Sequence, residues 1–257
     1  MKLSWKRVDP STVRMATVTE RDHPMLVASL EEAVSVADRE RSASRRPTFV
    51  EIGMHKGAGT LFILDMLHRL DCKSRFFAFD IDHANRRRKK KEGFYARDMW
   101  DRHIQPKLKF YPKVKATFHE VPGKRAARLI APHKDIAVYW IFIDGCHCRE
   151  CVTDELAAWA PIIEPGGFIC CHDYDPGYQD PKDNPRLMGQ RYHDNEPRKI
   201  AVYEAVEGLR HNVLGNFEEV ARVSANDRGN GVLFGGLIVL RKKVDASSEI
   251  SNSQGPA

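Results

Sequence analysis

The chain has 257 residues, 42% of them hydrophobic, enough to bury a substantial core and more in keeping with one large domain than two small ones. Its formal net charge of +6 comes from 41 basic residues mixed among 35 acidic ones, so the overall balance singles out no acidic partner. No apolar run approaches the roughly 20 residues that cross a bilayer, and the start MKLSWKRVDPS lacks the apolar stretch of a signal peptide, so a cytoplasmic protein with no membrane partner is expected.

In chain order, Met25, Leu26, Leu30, Val34 and Ala37 recur at helical spacing over residues 24 to 41, which predicts an amphipathic helix within a helical cover at about 1–45. TFVEIG (48–53) and RFFAFDI (75–81) read as buried parallel strands around the helix TLFILDMLHRL (60–70). A basic insertion at about 84–112 follows, then the strand VKATFHEV (114–121). YWIFIDG (139–145) and GGFICCHD (166–173) are further strands, flanking the helix CVTDELAAWAPII (151–163), which stops before the turn Glu164-Pro165-Gly166-Gly167. A Pro- and Gly-rich loop at about 174–198 has the length of a lid, with Tyr174, Tyr178, Arg186, Arg191 and Tyr192 available to an acceptor, and a helix begins near Lys199. FEEVARVSA (217–225) and FGGLIVLRK (234–242) form a terminal hairpin, and the polar tail 245–257 is expected to be disordered. The whole predicts a single α/β domain over 1–244, with a doubly wound, mostly parallel seven-stranded sheet whose last strand is antiparallel.

The turn Gly53-Met54-His55-Lys56-Gly57-Ala58-Gly59 joins the first strand to the first helix, where glycines let a ligand approach the backbone. Its GxxxGxG spacing departs from the GxGxxG of dinucleotide sites, which argues against a pyrophosphate-bearing cofactor. Asp80 ends the second strand, placed to accept hydrogen bonds from two ribose hydroxyls. A glycine turn plus a strand-end acid is a nucleoside site.

With VEIGMHKGAGT, FAFDID, IFIDGCH, APIIEPGGFICCHDYD and GGLIVLRK in that order, the chain resembles the class I S-adenosylmethionine-dependent methyltransferases over roughly residues 45 to 242. The resemblance implies a Rossmann-like methyltransferase fold and S-adenosylmethionine as cofactor. Gly53, Gly57 and Gly59 would line its methionine part, Glu51 would help hold its amino group, and Asp80 would bind the ribose. No dedicated acid for the adenine amino group stands out after the third strand, where the chain reads HEVPG.

Strand ends of a doubly wound sheet open onto one crevice, so Asp144 and His147 after the fourth strand can meet His172 and Asp173 after the fifth. Asp144, His172 and Asp173 offer ligands to a divalent cation, and a cation beside a hydroxyl stabilises the alkoxide that attacks the methyl group. His147 has the chemistry of a base near neutral pH. This set is similar to that of metal-dependent O-methyltransferases acting on sugar hydroxyls in natural-product pathways, which implies Asp144 and Asp173 as metal ligands, His147 as catalytic base and a small-molecule hydroxyl as acceptor. His172 stands where that group usually has a carboxylate. Magnesium or manganese is the expected ion, and the imidazole shifts the balance away from magnesium toward manganese, zinc or iron.

Two motifs remain outside this reading. Cys146, Cys148 and Cys151 give CxCxxC and, with His147 and His172, invite a zinc reading, but structural zinc sites usually pair two such elements and only one is visible, so reduced structural thiols are expected. Arg86 to Lys91, six consecutive cations followed by Phe94, Tyr95, Trp100, Arg102 and His103, suit nucleic acid, although a solvated helix face is the preferred reading. Two alternative functions follow: an iron oxygenase built on Asp144, His147 and His172, and a non-catalytic nucleic-acid-binding protein using the basic run.

Overall fold

The computed structural model describes residues 22–40, 45–81, 96–176, 191–192, 196–197, 200–223 and 236–244. The basic run 86–91, most of the 174–198 loop and the tail 245–257 lie outside them, as do the readings placed there.

The first helix, α1 (Asp22–Arg39), precedes β1 (Arg46–Ile52), α2 (Ala58–Arg69) and β2 (Ser74–Asp80). A short α3 (Ala96–Met99) runs on through a π turn (Trp100–Ile104) and a 3-10 segment (Gln105–Phe110) into β3 (Val114–Glu120). Then come α4 (Gly123–Ile130), β4 (Ile136–Ile143), α5 (Arg149–Trp159) with a 3-10 turn (Ala160–Ile162), and β5 (Ile163–His172). Beyond a small antiparallel ladder of β6 (Arg191–Tyr192) and β7 (Glu196–Pro197) lie α6 (Val202–Leu209), β8 (Phe217–Val223) and β9 (Leu237–Lys242).

Seven strands form one sheet in the order β3-β2-β1-β4-β5-β9-β8. All neighbours are parallel except that β9 runs antiparallel to both β5 and β8, which is the expected doubly wound sheet with its antiparallel last strand. Strands covered on both faces need apolar side chains on both, and every residue of β4 is buried. One face packs α1, α2 and the 96–104 segment through Leu30, Leu61, Trp100 and Trp140; the other packs α4, α5 and α6 through Ala126, Leu156, Trp159 and Val206. Two of the buried indoles find acceptors in the core, Trp140 Nε1 donating to Ser29 Oγ at 3.0 Å and Trp159 Nε1 to the Gly123 carbonyl at 3.0 Å.

The structure revises the basic insertion. Trp100, grouped above with aromatics available to a nucleic acid, is 4% exposed and stacks on Phe118 of β3 with ring centroids 5.7 Å apart. Ala96, Trp100 and Ile104 of this segment therefore belong to the core, whereas residues 105–110 bury no side chain and Phe110 is 56% exposed. Helix α4 was not anticipated: its eight residues, GKRAARLI, are too few to carry a periodic signal, yet they bury Ala126, Ala127 and Ile130 on the sheet.

Candidate active site

Sheet order reverses between β1 and β4, because the chain moves outward to β2 and β3 and then crosses back to β4. A crevice opens at such a switch point beyond the carboxyl ends of the strands. The β1–α2 loop lies in it. Gly53 has φ +92°, and a Cβ there would stand 2.1 Å from the Asp144 carbonyl oxygen, so only glycine lets this loop pack against the end of β4. That contact places the nucleotide loop beside the proposed reaction site.

Gly57, also left-handed, caps α2 and packs against Ile104. A Cβ on Gly59 would lie 2.5 Å from Glu51 Oε1, so Gly59 is what allows the Glu51 carboxyl to lie beneath the first turn of α2. There the Thr60 hydroxyl donates to Glu51 Oε2. Burial, opposed by that hydrogen bond and reinforced by Asp144 and Asp80, pushes Glu51 up to about 8. Thr60 and Ile104 support the candidate site, and sequence reasoning missed both. Thr60 was legible in principle as the hydroxyl nearest the loop, whereas no spacing links Ile104 to Gly57.

Asp80 ends β2, its Oδ2 accepting the His55 backbone N–H at 2.6 Å and its Oδ1 that of Ile81 at 2.6 Å. Its carboxylate thus ties the loop to β2, at the strand end from which a ribose would be held. A ligand carrying a sulfonium and an ammonium suits this pocket, because the Asp80 and Asp144 carboxyl groups lie close enough to Glu51 to raise it, and a cation beside Glu51 would favour the charged form that burial disfavours.

At the ends of β4 and β5 two carboxylates and two imidazoles converge. His147 Nε2 lies 3.3 Å from Asp144 Oδ1 and 3.4 Å from Asp173 Oδ2, while His172 Nδ1 lies 3.1 Å from Asp144 Oδ1 and 3.4 Å from Asp173 Oδ1. Burial opposes ionisation of Asp144, but His172 and His147 outweigh it and hold its carboxyl well below the usual carboxylate range. Asp173 reaches this position through a left-handed backbone, φ +56°, which non-glycine residues rarely adopt without a local reason. The carbonyl of His147 accepts the Ala201 N–H at 2.8 Å, fixing the β4–α5 connection to the start of α6.

Asp144, His147 and Asp173 present ligand atoms within 4.8 Å of one another. Ligand atoms on adjacent corners of an octahedron of ~2.1 Å bonds are ~3 Å apart, so the observed spacings fit a divalent cation. His147, expected from sequence as the base, therefore stands among the candidate ligands, and His172 packs more deeply, its side chain 3% exposed against 12% for His147. Tyr174 is removed from the acceptor contacts expected above: it is 1% exposed and its hydroxyl donates to Glu207 at 2.8 Å.

Residues 50–174 match the sequence profile of a family described as a methyltransferase domain. The match spans 125 residues, just under half of the chain, and supports the S-adenosylmethionine-dependent methyltransferase reading over the oxygenase and non-catalytic alternatives. No curated protein matches the chain in sequence. Among solved structures, the chain is similar to an O-methyltransferase family protein from Burkholderia thailandensis (11% identity, TM-score 0.49, 94% of this chain and 68% of that one). It is also similar to the O-methyltransferase from Bacillus cereus in complex with SAH (13% identity, TM-score 0.48, 93% and 98%). A third is the N-methyltransferase NodS from Bradyrhizobium japonicum (14% identity, TM-score 0.45, 88% and 97%). At these identities the likeness says nothing about what this chain acts on. Among the described residues, no helix is long and apolar enough to cross a membrane.

Proposed function

We propose that this chain is an S-adenosylmethionine-dependent methyltransferase that methylates a hydroxyl oxygen of a small molecule with the help of a divalent cation. The observation that carries the proposal is the convergence of Asp144 and Asp173, from the ends of two adjacent strands, onto one point flanked by His147 and His172. Gly53 packed on Asp144 sets that point next to the loop that would hold the cofactor.

In this reading Asp144 and Asp173 hold the cation, with His172 as the third ligand from the buried side. The mixed oxygen and nitrogen donors suit manganese, zinc or iron better than magnesium. Such an ion, when bound, stabilises the negative charge that develops on the acceptor oxygen. His147, more exposed than His172, takes the hydroxyl proton. The acceptor oxygen then bonds to the methyl carbon as the carbon–sulfur bond breaks, and S-adenosylhomocysteine leaves. Glu51, Gly53, Gly57, Gly59 and Asp80 bind and orient the cofactor, the glycines by close backbone approach and the acids by charge and hydrogen bonding.

Two variants test the division of roles. Asp144→Ala should lose most of the bound metal and most of the turnover, whereas His147→Ala should keep metal and cofactor and slow methyl transfer by roughly 10²- to 10⁴-fold. The proximity of His147 to both carboxylates supports a second reading, in which it is itself a ligand. Loss of metal from His147→Ala would favour that reading and move the base elsewhere. Acceptors would be screened as hydroxylated small molecules, with RNA as a separate arm; turnover on RNA alone would overturn the small-molecule assignment.

A further inference from the structure

Cys146, Cys148 and Cys151 lie on the β4–α5 connection, and methyl transfer as derived above uses none of them. All three are partly exposed thiols. Their sulfur atoms lie within 4.8 Å of one another. Cys146 Sγ is 3.4 Å from Cys148 Sγ, and Cys148, the N-cap of α5, accepts the Cys151 N–H at 3.4 Å. The cap and the residue three positions on share one face of the helix start, and the preceding loop folds the third sulfur onto them.

We propose that these three sulfurs bind a thiophilic metal ion, with zinc as the ion they fit. Sulfur ligands on a tetrahedral zinc with bonds of ~2.3 Å stand ~3.8 Å apart, so the 3.4 Å pair opens by a few tenths of an ångström and the remaining spacings, all within 4.8 Å, change by no more than about 1 Å. A disulfide would need two sulfurs to close to ~2.05 Å and would leave the third thiol over. Among the described residues no fourth His, Cys, Asp or Glu ligand joins the cluster, so water takes the fourth position, reached from the solvent side. The ion would brace the connection that carries both Asp144 and His147, the latter set between two of the ligands in sequence. The proposal does not depend on the cation site of Asp144 and Asp173, whose donors are oxygen and nitrogen.

The test uses the full-length, reduced and metal-stripped chain titrated with cadmium, a zinc analogue whose bonds to thiolate absorb in the ultraviolet, followed by zinc competition and a count of thiols reactive toward a disulfide reagent. We expect saturation of the sulfur band at one equivalent and protection of three thiols. Cys148→Ser keeps a good helix cap, and Cys146→Ser leaves the cap untouched, so both should fold. Loss of outer contacts to metal ligands already costs ~10- to 100-fold in affinity, so loss of a ligand itself should cost each variant at least about tenfold. Asp144→Asn should retain the band. Absence of a sulfur band from the reduced chain, its persistence in Cys148→Ser at unchanged affinity, or recovery of the thiols only as disulfide would overturn the proposal.

Discussion

Glu155 lies on α5 at 6% exposure, and its Oε2 has no hydrogen-bond partner among the described residues. Burial, with Asp154 adding to it and Lys124 opposing, pushes this carboxyl up to about 8 from an ordinary value of 4.5. Between those values the folded chain keeps a proton that the unfolded chain has released, so stability falls as pH rises through the window and levels off above it. Glu51 acts in the same direction. Glu155→Gln should therefore flatten the fall in melting temperature between pH 5 and pH 8, each buried group contributing at most ~1.4 kcal/mol per pH unit. An unchanged slope would show that Glu155 is solvated in solution. Asp80 offers a second test at this scale. Asp80→Ala should weaken S-adenosylhomocysteine binding by roughly ten- to a hundredfold, the cost of losing hydrogen bonds to a charged acceptor. Calorimetry showing undiminished affinity would remove Asp80 from the site and leave it only the two backbone amides it holds.

At the scale of elements, β1, β2, β4 and β5 were legible because strands buried on both faces must be continuously apolar, and TFVEIG and YWIFIDG meet that requirement over nearly their full length. Charge misled the reading of residues 96–110. Lysines and arginines there mask Trp100 and Ile104, whose packing partners Phe118 and Gly57 are distant in sequence. Two substitutions separate the packed part of that segment from its charged neighbour. Ile104→Ala removes a fully buried side chain against the cap of α2 and should cost about 2–5 kcal/mol in chemical denaturation. Replacing Arg86 to Lys91 with neutral polar residues should leave the melting temperature nearly unchanged, as expected from the sequence reading of this run as a solvated face. A large fall would mean that those side chains pack or pair internally. The glycine loop is less forgiving still: Gly53→Ala meets both a left-handed backbone and the Asp144 carbonyl, and should lower stability by at least about 2 kcal/mol.

Across the whole molecule, the doubly wound order brings the β1 loop, Asp80 and the ends of β4 and β5 to one edge of the sheet, which is why strand-end residues could be nominated from sequence. Their mutual spacing was not legible. The left-handed turn at Asp173, the two imidazoles facing the same carboxylates, and the gathering of three sulfurs in one helix turn depend on loop paths that no linear pattern encodes. The central claim is that the four side chains at these strand ends form a cation-assisted methyl-transfer site. Its most direct test is the turnover of S-adenosylmethionine by the metal-stripped wild-type enzyme on an acceptor from the hydroxyl panel, measured before and after manganese is added. Turnover should be nearly abolished by stripping and restored by manganese in the wild type but not in His147→Ala. Full turnover by the metal-free enzyme would contradict the claim, leaving Asp144 and Asp173 to orient the acceptor by hydrogen bonding alone.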